Sequence, residues 1–295
     1  MVTVRPSRKR SLFLCLTAYA AAGIAAIAVG RLLHGSSPVW SAAAADIAAT
    51  IVIFAFSLGL DNSSVYDPYW SVAPAVIAPA WIVSMGGGGL SFRQCALLLL
   101  VLAWAARLTG NWLRRWRGLS DEDWRYADYR HLGAGYWPVS FLGFHLMPTI
   151  IVFVACVPMS FSFSPTGRPL GLLDAAAFII TGAAIVIESA ADQQLRRFLT
   201  SPRVPGDILD TGLWALSRHP NYFGEVLYWW GIWLFGIAAQ PSAWWTVAGP
   251  LAVTALFAGI SVPMMDRRML SRHPGYAQHI TRRSGLIPWP ARRGA

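Results

Sequence analysis

Long apolar runs separated by short, arginine-bearing polar stretches set the pattern of this chain. Segments near 11–33, 41–60, 69–90, 94–112, 139–160, 170–191, 222–240 and 243–264 are mostly apolar, and each is close to the roughly 20 residues an α-helix needs to cross a bilayer. The expected fold is therefore all-α: a polytopic membrane bundle of eight helices, or seven if one segment is re-entrant or merged with its neighbour. Pro74, Pro79 and Pro148 fall inside spans and "GGGG" at 86–89 ends the third; membrane helices tolerate such breaks. The opening run "SLFLCLTAYAAAGIAAIAVG" follows Arg8, Lys9 and Arg10 as the core of a signal peptide would. It exceeds the roughly 7–15 apolar residues of such a core, so it is read as a first transmembrane helix that stays.

Composition sharpens this picture. Hydrophobic residues make up 55% of the 295 and charged ones 13%, against about 25% charged in an average soluble domain. The net charge of +10 would suggest nucleic acid as a partner had the cations gathered on one polar face. They lie instead between the apolar runs, so no nucleic-acid partner is expected. With the N-terminus placed in the cytoplasm, the cytoplasmic segments hold 20 of the 24 basic residues and the opposite loops hold only Arg31, Arg93 and Arg168. The positive-inside rule then puts both termini in the cytoplasm.

All the basic residues but Lys9 are arginine, the side chain suited to bidentate phosphate binding. Cys15, Cys95 and Cys156 sit in apolar stretches without metal-ligand spacing, and no metal is expected. HExxH, P-loop and GxSxG motifs are absent, as is a soluble dinucleotide-binding fingerprint. The Arg- and Ala-rich, Lys-poor composition points to a bacterial inner membrane, and a monomer is expected.

Polar clusters at the ends of spans are the candidates for chemistry. Glu188, Asp192 and Arg196 recur every fourth residue, so they share one helix face. That spacing also suits a plain surface ladder, but a carboxylate at an apolar boundary is costly without a purpose. Pro202, Pro205, Gly206 and Gly212 then form a turn-rich connection to "LSRHPNYFGEVLYWW". There Arg218 and His219 precede a helix N-terminus, where free N–H groups attract phosphate oxygens. Asn221 and Glu225 lie one turn apart on the same face, beside Tyr222. Asp266 and Arg268 end the last span, followed by Tyr276 in a second, shorter "RHPGY". Tyr66 and Asp67 enter an apolar helix as a donor pair, with an N-cap or first-turn role for Asp67 as the plainer alternative.

The stretch "DTGLWALSRHPNYFGEVLYWWGIWL", with "ESAADQQLRRF" before it and "VPMMDRRML…RHPGYAQHITRRSGLIPWP" after it, resembles the steroid 5-alpha-reductase C-terminal superfamily, and most closely its bacterial DUF1295 branch. The resemblance is strong over about 180–290 and extends more weakly toward 107. It implies one transmembrane domain in which about 1–112 faces a lipid substrate and about 113–295 carries an NADPH site open to the cytoplasm. Transferred by position, Glu188 and Asp192 face the adenosine or ribose, Arg196, Arg218 and His219 the phosphates, and Asn221, Tyr222 and Glu225 the nicotinamide half. Asp266 and Arg268 close the pocket.

The N-terminal half departs from steroid reductases, which carry a Gln-Glu pair on the second helix and a Tyr on the fourth. Here Tyr66-Asp67 and Trp104 lie near those positions. The activity implied is reduction of a conjugated C=C in a steroid-like or isoprenoid lipid, with Tyr66 as donor to the developing enolate and Asp67 as its orienter. Relatives on the same scaffold methylate isoprenylcysteine or phospholipids with S-adenosylmethionine, which is the second reading. A lipid-binding protein without catalysis is the third.

Overall fold

The computed structural model describes residues 7–85, 89–202, 204, 206–273 and 275–291. Pro205 and Gly86, Gly87 and Gly88, singled out above, lie outside them. Among the described residues helices dominate and no strand forms beyond one isolated bridge between Ser217 and Ser284. The chain divides into two compact units, Met1–Thr166 and Gly167–Ala295.

The first unit contains α1 (Arg8–Leu32), α2 (Pro38–Gly59), α3 (Tyr69–Met85), α4 (Phe92–Arg115) and α5 (Arg130–Phe163). Their starts follow local chemistry. Ser7 accepts a hydrogen bond from the Arg10 N–H, and Ser91 and Gln94 cap α4 reciprocally, which satisfies donors that have no partner inside a helix. Pro74 and Pro79 are carried inside α3. Pro148 acts differently: α5 widens into a π-helical turn over Ser140–Leu146, two residues before it. A proline has no N–H to give to the preceding turn and its ring crowds that turn's carbonyl, so a wider turn relieves the conflict. The Arg8 guanidinium donates to the Leu113 carbonyl at 2.8 Å, holding the first turn of α1 against the last turn of α4. Gly118, at φ +104°, permits this approach, since a Cβ there would lie 3.0 Å from Ser11 Oγ.

The second unit contains α6 (Leu172–Thr200), α7 (Pro220–Ala239), α8 (Pro241–Arg272) and α9 (Tyr276–Arg282). The buried positions of α6, which are Asp174, Ala177, Thr181, Ala184, Glu188 and Ala191, alternate by three and four, the seam of a helix pair. Five of the six are small or slender at the contact, and α7 answers with glycine. A Cβ on Gly224 would lie 2.6 Å from Glu188 Cβ, and one on Gly231 would lie 2.2 Å from Thr181 Oγ1. Small residues let membrane helices approach closely, where packing rather than water exclusion drives association. In α8 a second π-helical turn, Phe257–Ser261, again sits two residues before a proline, Pro263.

Among the described residues six helices, α1, α2, α4, α5, α6 and α8, are long and apolar enough to cross a membrane. The expected third and seventh segments form α3 and α7, of 17 and 20 residues, which are not among the six. Large apolar side chains stand exposed along α1, α3 and α6, among them Phe13, Ile24, Val83, Ile179 and Val186. Such a surface suits contact with lipid, not water.

Candidate functional site

In the second unit the polar residues converge on Asp266. Arg218 donates to it through Nε (3.2 Å) and a terminal nitrogen (2.7 Å), His219 Nε2 donates at 3.0 Å, and the Tyr276 hydroxyl donates at 2.9 Å. The other terminal nitrogen of Arg218 reaches the carbonyls of Ile280 and Arg283. The Arg218 backbone N–H donates to Ser284 and that of Trp289 to Leu216, so the C-terminal segment is fastened along 216–218. Burial and the neighbouring Asp266 carboxylate hold the Tyr276 phenol above its ordinary pKa, and burial with Arg283 and Arg218 nearby holds the His279 imidazole below its own.

By position Arg218 is expected at a phosphate; its fork is instead occupied by Asp266 and the C-terminal carbonyls. Its geometry makes it a positioning group. Tyr276, noted in the sequence only as part of the second "RHPGY" and given no role there, joins this carboxylate, so each of the two repeats places a donor on Asp266: Arg218 and His219 from the first, Tyr276 from the second.

The remaining cofactor candidates grade from buried to exposed along α6. Glu188 is buried in the seam, Asp192 is half-buried and Arg196 is exposed. Asn221 Nδ2 donates to Asp192 Oδ1 at 3.3 Å, linking the end of α6 to the start of α7. The His219 ring stacks on Tyr222 with centroids 5.1 Å apart. Glu225 is buried and accepts from the Trp229 indole at 2.8 Å, and Arg268 is half-buried.

In the first unit Tyr66 and Asp67 part company. The Tyr66 hydroxyl meets Thr149 Oγ1 at 2.9 Å, and its ring stacks on Tyr69 and leans on His145. Asp67 accepts from the Tyr126 hydroxyl at 2.7 Å and faces Arg125 at 3.6 Å. Asp67 therefore does not orient Tyr66; Thr149, held in turn by Thr50 at 2.9 Å, is the hydroxyl group that does. Adjacent residues leaving a short 3₁₀ turn point in different directions, which residue order alone conceals. Trp104 is buried with its edge toward Trp70.

Burial pushes the Asp67 carboxyl up to about 6 despite Arg125. The folded protein thus takes up a proton between about pH 6 and 4 that the unfolded chain binds only near the bottom of that window. The stability this proton contributes is present at acid pH and is lost as pH rises through about 6. Asp67→Asn keeps an acceptor for Tyr126 without the charge. Its stability relative to wild type is expected to rise by about 2–3 kcal/mol between about pH 4 and pH 7.5, measured by denaturant titration in mixed micelles.

A group that sequence reasoning missed lies deeper. Asp46, within α2, is buried, and its carboxylate accepts from the Tyr69 hydroxyl at 2.6 Å. Thr50 and Ser57 follow on the same face, and Ser57 Oγ contacts His145 Nε2 at 3.1 Å. The π-helical turn carries His145, whose Nδ1 contacts the Ser140 carbonyl at 2.9 Å. One acid in an otherwise apolar span was the available signal, since ionisable side chains inside a membrane are costly and mark functional sites by default.

The fold and these two polar centres define a polytopic helical membrane protein with ionisable groups buried inside each unit. Residues 53–282 match the family described as "Protein of unknown function (DUF1295)", and the chain belongs to that family, in agreement with the resemblance. It is also similar to the "Uncharacterized protein C594.04c" of Schizosaccharomyces pombe, with 26% identity over 251 residues, covering 76% of this chain and 72% of that protein. No solved structure matches.

Proposed function

We propose that the protein is an NADPH-dependent membrane reductase of a conjugated C=C in a steroid-like or isoprenoid lipid. The observation that carries this reading is the buried Asp46–Tyr69 pair with Tyr66 stacked beside it: phenols and a carboxyl in a dry environment suit polarisation of a carbonyl and protonation of the enolate it becomes. Tyr69 and Tyr66 are the proposed donors: Thr149 can donate to the Tyr66 oxygen, and a protonated Asp46, donating to the Tyr69 oxygen instead of accepting from it, would leave the single Tyr69 proton for the substrate oxygen. The low dielectric around them strengthens each such contact.

The chemistry of the second unit fits a nucleotide. Asp192 and Asn221 offer a carboxylate and an amide for ribose hydroxyls. Arg196 and Arg268 offer guanidinium groups for phosphates, and Glu188, Tyr222 and Glu225 extend the polar surface. His219, with Arg218, Asp266 and Tyr276, keeps the start of α7 in place. When bound, NADPH supplies the hydride.

Eight crossings with both termini cytoplasmic also belong to this reading. Because Arg8 touches Leu113, an even number of crossings separates them, so α3 is counted as crossing with α1, α2 and α4. In the second unit Arg218 meets Asp266 at one end and the Arg168 N–H donates to the Ala239 carbonyl at the other, which supports α7 as a crossing.

The test runs NADPH, NADH and S-adenosylmethionine in parallel against the purified protein. A ligand bound only by the folded state raises its stability. NADPH alone is expected to do so, and Asn221→Ala to weaken the effect. Stabilisation by S-adenosylmethionine alone would transfer the protein to the methyltransferases. With an accepted enone lipid, Tyr69→Phe is expected to lower turnover by about 10²–10⁴-fold, the range for a lost general acid, with NADPH stabilisation unchanged.

A further inference from the structure

The start of α1 and the end of α4 bring together cations that are more than 100 positions apart in sequence. Arg8, Lys9 and Arg10 occupy the first turn of α1. Arg114 and Arg115 end α4, and Arg117 follows two residues on. The Arg8–Leu113 hydrogen bond and the close approach at Gly118 hold the two triplets side by side. All six side chains are exposed. Their polar contacts are to neutral groups, Arg8 to the Leu113 carbonyl and Arg114 to the Asn111 side chain, and among the described residues none is paired with a carboxylate.

Topology explains why cations lie at either helix end. It does not explain why two triplets are fastened together without counter-charges, which leaves six like charges repelling one another. An anion at this place would relieve that repulsion. The level in the membrane is also marked: Trp112 and Trp116, stacked with centroids 4.9 Å apart, lie within a turn of Arg114 and Arg115, and tryptophan favours the headgroup region.

We propose that this double triplet is a binding site for the phosphate headgroups of anionic phospholipids of the surrounding leaflet. Arginine contributes two parallel donors to phosphate oxygens, and each basic residue at a membrane surface adds about 1 kcal/mol of attraction to anionic lipid. The acyl chains would lie along the exposed apolar side chains of α1, which include Phe13 and Leu16. The lipid site is independent of the reductase reading.

The test titrates purified full-length protein in mild detergent with phosphatidylglycerol or phosphatidylcholine and measures bound lipid by native mass spectrometry. Wild type is expected to bind phosphatidylglycerol about tenfold or more tightly than phosphatidylcholine, with the preference shrinking as salt is raised. Arg114→Gln/Arg115→Gln/Arg117→Gln is expected to abolish the preference, as is Arg8→Gln/Lys9→Gln/Arg10→Gln. Arg197→Gln/Arg267→Gln/Arg272→Gln removes the same charge from exposed positions of the second unit and is expected to keep it. Circular dichroism confirms that each variant is folded. Equal binding of the two lipids by wild type overturns the proposal, as does equal loss in the control triple. Complete displacement of phosphatidylglycerol by millimolar inorganic phosphate would also overturn it, by naming a free anion as the ligand.

Discussion

Arg218→Ala is expected to destabilise the folded protein by about 3–5 kcal/mol, the cost of removing one partner of a buried ion pair. The guanidinium and the Asp266 carboxylate are both close to fully buried. Truncation leaves Asp266 with His219 and Tyr276 as donors, and it also frees the carbonyls of Ile280 and Arg283. Two events are therefore expected. Global stability falls in a denaturant titration in mixed micelles, and the segment 276–291 gains hydrogen exchange before the rest of the second unit.

Arg218→Lys should recover little, because an ammonium group cannot match the two carboxylate oxygens and the two carbonyls together. Arg218→Met/Asp266→Leu should be less damaging than either single truncation, since no charge is then left alone in the interior. If Arg218→Ala unfolds no more readily than wild type while weakening NADPH binding, Arg218 is a phosphate ligand and the hub assignment fails.

Gly231→Ala is the second large effect. Its added methyl would meet Thr181 Oγ1 at 2.2 Å and the Thr181 backbone Cα at 3.0 Å, so side-chain rotation alone cannot make room. Overpacking of this kind costs about 1–3 kcal/mol, and the close backbone places this site at the upper end or beyond. Thr181→Ala in the same chain removes the nearest atom and is expected to restore part of the loss, a coupling a double-mutant cycle measures. Gly182, one residue away on α6, is the contrast: nothing lies within 4 Å of its added Cβ. Gly182→Ala is expected to be neutral or stabilising by up to about 1 kcal/mol, the ordinary helix-propensity gain. Equal outcomes for Gly231→Ala and Gly182→Ala would remove the seam from the account of how α6 and α7 associate.

Much of the architecture was legible in residue order. Apolar runs of about 20 residues have few options in a bilayer, because every backbone polar group must find a partner inside its own segment, and the helices follow. The "RHPNYFGE" stretch declared a polar helix start, and α7 begins at Pro220. The rungs Glu188, Asp192 and Arg196 do share a helix that runs from a buried seam to an exposed end. Local rules of this kind depend on neighbours three or four positions apart, which the sequence displays.

Contacts between distant positions decided the rest. Residue order did not reveal that Arg218 would pair with Asp266, that Tyr276 would join them, or that Asp67 would turn to Tyr126 while Tyr66 turned to Thr149. Asp46 was visible as a lone acid, but its meaning came from Tyr69, 23 positions on and on another helix. The sequence by itself determined a helical membrane protein, through hydropathy and arginine placement, which act residue by residue. Only the tertiary structure decided which charge meets which partner, because a buried ionisable group is stabilised by specific donors brought from elsewhere in the chain, and burial makes any other arrangement costly.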